Sequence, residues 1–239
     1  VKTIAVEELS GRVVVTLDRE AQRNAIDAEM IAELHQVCGI VEADPRLLIL
    51  TGKGEHFAGG ADINQLRVRT RDDALRGINR NLFDRIAALP LPTIAAIKGY
   101  ALGGGAELSY ACDIRIGSST AVFGNPEPGL GIMAAAGASY RLPELVGVSV
   151  AKQVLLGGRT LDAETALRTG LVMEVVDDPL ASAHALADRI ARQAPLALKL
   201  TKKILDAPGS HPWADDIAQA VLFETEDKQR RMTAFLEKL

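Results

Sequence analysis

The chain has 239 residues, 48% of them hydrophobic, and a formal net charge of −4, enough apolar material for one large core with an appended unit. Mild acidity and the lack of a basic stripe argue against nucleic acid as a partner, and no apolar run reaches the roughly 20 residues that a bilayer crossing needs. The opening Val1-Lys2-Thr3 begins no secretory signal, and Cys38 and Cys112 lack paired-ligand spacing, so the expectation is a cytoplasmic protein with two buried thiols and neither a structural metal nor a disulfide.

Residues 3–9 and 12–18 are β-rich runs around Ser10-Gly11, which predicts a hairpin with Val13, Val14 and Val15 buried. Asp27 can cap a helix whose apolar positions Met30, Ile31, Leu34, Val37, Cys38 and Val41 keep helical spacing until Asp44-Pro45. Residues 47–51 form a wholly apolar strand, and this order of strands and helix predicts an α/β layer arrangement whose loops carry function. In the loop that follows, the small residues Ala58, Gly59, Gly60 and Ala61 are expected to expose backbone amides just before Asp62, which can start a short helix through Leu66. His56 has no accompanying partner motif and reads as a surface residue. Residues 72–89 are expected to form one amphipathic helix, ended by Pro90 and Pro92.

The chain is organised around residues 97–113, where Gly103, Gly104 and Gly105 stand between the strand 93–97 and a short helix over 104–112. A helix start has unsatisfied N–H groups, and glycines leave them open to a carbonyl oxygen or an anion. Glu107 lies in the first turn beside those donors. Close packing of the helix on the strand would explain the same glycines, and both readings stand at this point. Downstream, Pro126 and Pro128 stiffen the backbone around Glu127, which is either held for chemistry or an ordinary turn carboxylate. The run Gly129-Leu130-Gly131-Ile132-Met133-Ala134 imitates a dinucleotide fingerprint but follows a Pro-rich turn instead of a strand.

A helix is expected over 145–156, a short one capped by Asp162, and a strand over 171–176. From 179 onward the pattern is helical over 179–193, 196–207 and 213–239. This divides the chain into a core, 1–178, and a helical unit, 179–239, whose apolar surplus at Ile217, Val221, Leu222 and Phe235 predicts self-association.

Residues 19–25, 57–63, 99–113 and 123–131 together make the chain resemble the enoyl-CoA hydratase/isomerase (crotonase) family over nearly its full length. The resemblance implies an α/β fold, a spiral of ββα units with a C-terminal helical oligomerisation domain, assembled as a trimer or a dimer of trimers. It implies an acyl-CoA thioester substrate, with coenzyme A as part of that substrate and no separate cofactor or metal. It places an oxyanion hole on the N–H groups of Ala61 and Gly104 and the catalytic carboxylates at Glu107 and Glu127. Contacts to CoA or substrate fall, by the same resemblance, on Gln22, Arg23, Ala58, Gly59, Gly60, Ala61, Asp62, Ile63, Gly103, Gly104, Phe235 and Lys238.

The implied reaction is reversible addition of water to a trans-2-enoyl-CoA, giving a 3-hydroxyacyl-CoA: Glu107 activates water for Cβ, Glu127 protonates Cα, and the amides hold the enolate oxygen. Where the family usually shows Pro-Gly and then Gly-Gly-Thr-Gln-Arg-Leu, this chain has Ala134-Ala135 and Gly137-Ala138-Ser139-Tyr140-Arg141-Leu142. These positions lie near the family's acyl pocket, which leaves chain length and branching open. Double-bond isomerisation, retro-aldol or decarboxylation chemistry, and a non-catalytic CoA-binding scaffold are the alternatives.

Overall fold

The computed structural model describes residues 2–207, 209 and 211–237. Strands β1 (Ile4–Leu9) and β2 (Arg12–Leu17) form the expected antiparallel hairpin. The other large-sheet strands, β3 (Leu47–Gly52), β4 (Thr93–Ile97), β6 (Ile114–Gly117) and β9 (Glu174–Val175), add in parallel to give the order β1-β2-β3-β4-β6-β9. A second sheet is built from β5 (Tyr100–Leu102), β7 (Val122–Gly124) and β8 (Leu161–Asp162), in the order β5-β7-β8.

Successive residues of the central strands enter different cores, as the two-residue period of a strand requires. Val13, Val15, Leu48, Leu50, Ala95 and Ile97 join the main core with α1 (Ala28–Ala43), while Val14, Leu47, Ile49, Ile94, Ala96 and Ile116 pack with Ala183, Leu186 and Ala187 of α8 (Pro179–Ala191). Hence these strands are apolar on both faces. The Asp27 carboxylate accepts from Met30 N at 2.8 Å and caps α1, all six of whose predicted apolar positions are buried. Cys38 and Cys112 are buried free thiols.

Several boundaries differ from the sequence reading. The helix expected over 72–89 is two, α3 (Arg71–Arg76) and α4 (Ile78–Ala87), because Gly77 turns left-handed at φ +61° between them. They follow α2 (Ile63–Arg67), capped by Asp62 as expected. Short α5 (Gly104–Tyr110) also lies where the sequence placed it. By contrast, α6 (Ala138–Leu155) begins seven residues before the expected start at 145 and bends at Gly147, whose φ is +77°. Asp162 caps α7 (Ala163–Arg168), and the strand expected over 171–176 is only the two-residue β9.

The boundary expected after residue 178 falls at the start of α8, a helix that closes the second face of the large sheet. Beyond it lie α9 (Pro195–Leu205), α10 (Trp213–Phe223) and α11 (Glu226–Leu236). The last two were expected as one helix; Thr225 separates them and caps α11 by accepting from Lys228 N at 3.2 Å. Trp213, Ile217, Val221, Phe223, Phe235 and Leu236 are exposed on these helices. Among the described residues, no helix is long and apolar enough to cross a membrane.

Candidate active site

Two short parallel pairings place the first donor. Ala58 N donates to Tyr100 O at 2.9 Å and Leu102 N to Ala58 O at 3.0 Å, which ties the glycine loop to β5. Three residues on, Ile26 N donates to Gly60 O at 2.8 Å and Asp62 N to Ile26 O at 2.9 Å. Because the groups flanking Ala61 point toward Ile26, the Ala61 N–H points the other way. There it meets Gly104: a Cβ on Gly104 would stand 3.4 Å from Ala61 N.

Gly104 opens α5, so its own N–H has no intrahelical acceptor. Gly103, at φ +50° and ψ −126°, makes the turn into the helix in a region that favours glycine, and its N–H donates to Gly124 O at 2.8 Å. Neither Ala61 N–H nor Gly104 N–H donates to a protein group among the described residues. The packing explanation holds for the third glycine: a Cβ on Gly105 would lie 2.3 Å from Ala58 O.

Both carboxylates are buried, at 3% exposure for Glu107 and 8% for Glu127. Glu107 Oε1 accepts from the amides of Ala136 and Ala138 at 2.7 and 3.1 Å. Burial pushes its carboxyl up to about 7, the Ala138 N–H opposes that rise, and the neighbouring Glu127 charge adds to it. Glu127 begins a single 3₁₀ turn (Glu127–Leu130), and burial raises its carboxyl as well, against the opposing influence of its own backbone N–H and the Asn125 side chain. Its Oε2 is buried without a hydrogen-bond partner.

Ala61, Gly104, Glu107 and Glu127 all line one cavity of about 480 Å³. Leu66, Ile78, Ile132, Met133 and Ala135 supply apolar wall, and Arg69, Arg71, Asp73 and Arg80 supply charge. Two N–H donors side by side can hold a developing oxyanion, and two carboxyls lifted toward neutrality can exchange protons with whatever lies between them.

The other expected contact residues that are described lie off the cavity lining. Gln22 and Arg23 are exposed, and Arg23 O accepts from Gly59 N at 2.7 Å. The loop therefore differs from the expectation of a row of exposed amides, since those of Ala58 and Gly59 are bonded within the protein. Asp62 pairs with Arg19 at 3.1 Å, and Ile63 is exposed. Gly103 lies against Glu127, with Oε1 3.1 Å from the position of an added Cβ. Phe235 is exposed on α11, and Lys238 lies outside the described residues. His56 is half-buried rather than a surface residue: its ring stacks on Tyr100 at 4.5 Å and its Nδ1 accepts from Tyr100 N at 3.3 Å.

Two polar neighbours escaped the sequence reading. Asn79 is buried on α4, takes a 2.8 Å hydrogen bond from Arg69, and has Nδ2 3.7 Å from the position of a Cβ on Gly104. Tyr110 lies three residues along α5 from Glu107, and its hydroxyl donates to Asn125 Oδ1 at 3.2 Å. The helical spacing from Glu107 was the available signal for Tyr110, and a polar residue on the apolar stripe of α4 was the signal for Asn79.

The enoyl-CoA hydratase/isomerase family model matches residues 7–239, and the chain belongs to this family. It is 41% identical to the short-chain-enoyl-CoA hydratase of Clostridium acetobutylicum, over 97% of this chain and 94% of that protein. Identity to the crotonyl-CoA hydratase of Syntrophomonas wolfei is 36%, over 99% and 96% respectively. Among solved structures, the enoyl-CoA hydratase from Bacillus anthracis matches with a TM-score of 0.93 at 32% identity, covering 99% of this chain and 97% of that one.

Proposed function

We propose that the protein is an enoyl-CoA hydratase, a hydro-lyase that reversibly adds water to a trans-2-enoyl-CoA to give the 3-hydroxyacyl-CoA. The observation that carries this reading is that Ala61, Gly104, Glu107 and Glu127 converge on one cavity. The names of the Clostridium and Syntrophomonas relatives agree with it.

In the proposed mechanism the thioester oxygen accepts from Ala61 N–H and Gly104 N–H, which draws electron density from Cβ. Glu107, whose Oε1 already accepts two N–H bonds that favour its ionised form, takes a proton from the water that adds to Cβ. Glu127, buried with Oε2 unpartnered, suits the protonated form and gives its proton to Cα. Water is thereby added across the double bond, and solvent exchange returns the two carboxyls to their starting states. These steps use the chain's own groups and the thioester, with no cofactor or metal.

The CoA moiety is proposed to leave past Ala61 along Gly59, Gly60, Asp62 and Ile63 toward Gln22 and Arg23, where the exposed Arg23 guanidinium suits a phosphate. Gly103 holds the turn beneath the thioester. Phe235, off this chain's cavity, is proposed to meet CoA across a subunit boundary in a trimer or dimer of trimers built on the exposed apolar residues of α10 and α11. A panel of short, long, branched and aromatic 2-enoyl-CoAs, followed by loss of conjugation absorbance, tests the activity. Formation of 3-hydroxyacyl-CoA is expected; migration of the double bond without hydration would make the protein an isomerase instead.

A further inference from the structure

The turn that holds Glu107 is itself held from outside the cavity. Between Ala136 and Ala138, whose amides bind Glu107 Oε1, stands Gly137 at φ +134°, and a Cβ there would lie 2.2 Å from Arg141 Nη1. The guanidinium thus rests directly on the turn, and Nη1 also donates to Ala136 O at 3.4 Å. Its other end is clamped by Asp84 of α4, whose Oδ1 accepts from Arg141 Nη2 at 2.7 Å and from the Tyr140 hydroxyl at 2.8 Å. The second oxygen of Asp84 accepts from Arg80 Nη1 at 3.1 Å. The Arg141 side chain is 13% exposed and that of Asp84 40%, so the pairing is shielded on the Arg141 side only.

We propose that Arg141, clamped by Asp84 and Tyr140, is a positioning residue for Glu107, fixing the two amides that aim the carboxylate. This deepens the hydratase reading and rests on Glu107 being its base. Of the groups around Glu107, Glu127 opposes a charge there and Arg141 favours it. Tyr110, on the same helix, is a buried phenol whose ionisation is pushed up. From α4, Arg80 and Asp84 form a mutual pair; Arg69, Arg71 and Asp73 line the same cavity as Arg80, and Asp206 after α9 is within electrostatic reach of Arg141. Arg141 is therefore the cation that favours a charged Glu107, acting beside the two amides, whose influence on the carboxyl is larger.

The test is a pH titration of Glu107 by isotope-labelled glutamate NMR, assigned by difference from Glu107→Gln, with pH profiles of hydration on the same preparations. In Arg141→Met, the carboxyl titration and the acid limb of kcat/KM both move to higher pH. The kcat falls by about 10- to 100-fold near neutrality, KM changes less, and activity partly returns above the shifted limb. Arg141→Lys keeps the charge and holds the titration near wild type while kcat stays low, because the forked contact is lost. A folded Arg141→Met with an unmoved titration, or with a loss equal at every pH, overturns the proposal. If that variant does not fold, Asp84→Asn and Tyr140→Phe decide: a shift in the same direction supports the clamp, and unchanged titration and rates in both refute it. Full activity in Glu107→Gln would instead defeat the reading of Glu107 as base, a different result from an unmoved titration.

Discussion

A methyl group on Gly104 would stand 3.4 Å from the amide nitrogen of Ala61, an ordinary contact that covers the donor without displacing the backbone. On Gly105 the same methyl would lie 2.3 Å from Ala58 O and 2.7 Å from Ala58 Cβ. Adjacent glycines therefore answer to different demands, one chemical and one of packing. Gly104→Ala should melt close to wild type yet lose about 10²–10³ in kcat, the effect of one oxyanion donor, while Gly105→Ala should be destabilised by about 1–3 kcal/mol through overpacking. Paired melting curves and rates check this; equal destabilisation in the two variants would leave both glycines with packing roles.

Glu107→Gln and Glu127→Gln should each slow hydration by roughly 10²–10⁴-fold with little change in acyl-CoA affinity. Steady-state rates with calorimetric binding of a saturated acyl-CoA separate the two effects. Near-normal turnover in either variant removes that residue from the mechanism.

Glu107 also ties stability to pH. Its carboxyl is raised by burial from 4.5 to about 7, so between those values the folded protein retains a proton that the unfolded chain has lost, and stability falls as pH rises through the window. Glu107→Gln removes this term. The variant should gain on wild type by up to about 3 kcal/mol between roughly pH 4 and pH 8, measured by denaturant unfolding at each pH. A constant difference across that range would mean that Glu107 is not held protonated by its burial.

Exposed Ile217 and Val221 project from α10 at helical spacing, 46% and 49% accessible, and with Trp213 they form an uncovered apolar face. The double variant Ile217→Glu, Val221→Glu should dissociate the proposed oligomer, seen by light scattering as a fall in mass. Unchanged mass would place the interface elsewhere.

Local signals were legible in the sequence. Asp27, Asp62 and Asp162 each cap the helix they precede because a cap is decided within three residues. Gly77 was not legible as a break, since the apolar period of α3 and α4 runs through it in phase and only its left-handed φ interrupts the hydrogen bonding. At the site, Glu107 and Glu127 could be singled out by their stiff surroundings, but what joins them is the pairing of β5 with β7 and the bond from Gly103 N to Gly124 O. That contact spans about twenty residues and involves a three-residue strand with too little pattern to announce itself. The roles of Ala136, Ala138 and Arg141 escaped for the same reason: their link to Glu107 is made by backbone amides and a folded-back guanidinium, which leave no residue-type signature.

The most direct test of the central claim is the mass of the product formed from a trans-2-enoyl-CoA in isotopically heavy-oxygen water. Addition of water at Cβ by the four groups around the cavity predicts a 3-hydroxyacyl-CoA carrying one heavy oxygen in its hydroxyl, formed at a rate that collapses in Glu107→Gln. A shifted double bond with no heavy oxygen in the product, or labelled product at an undiminished rate in Glu107→Gln, would contradict the account.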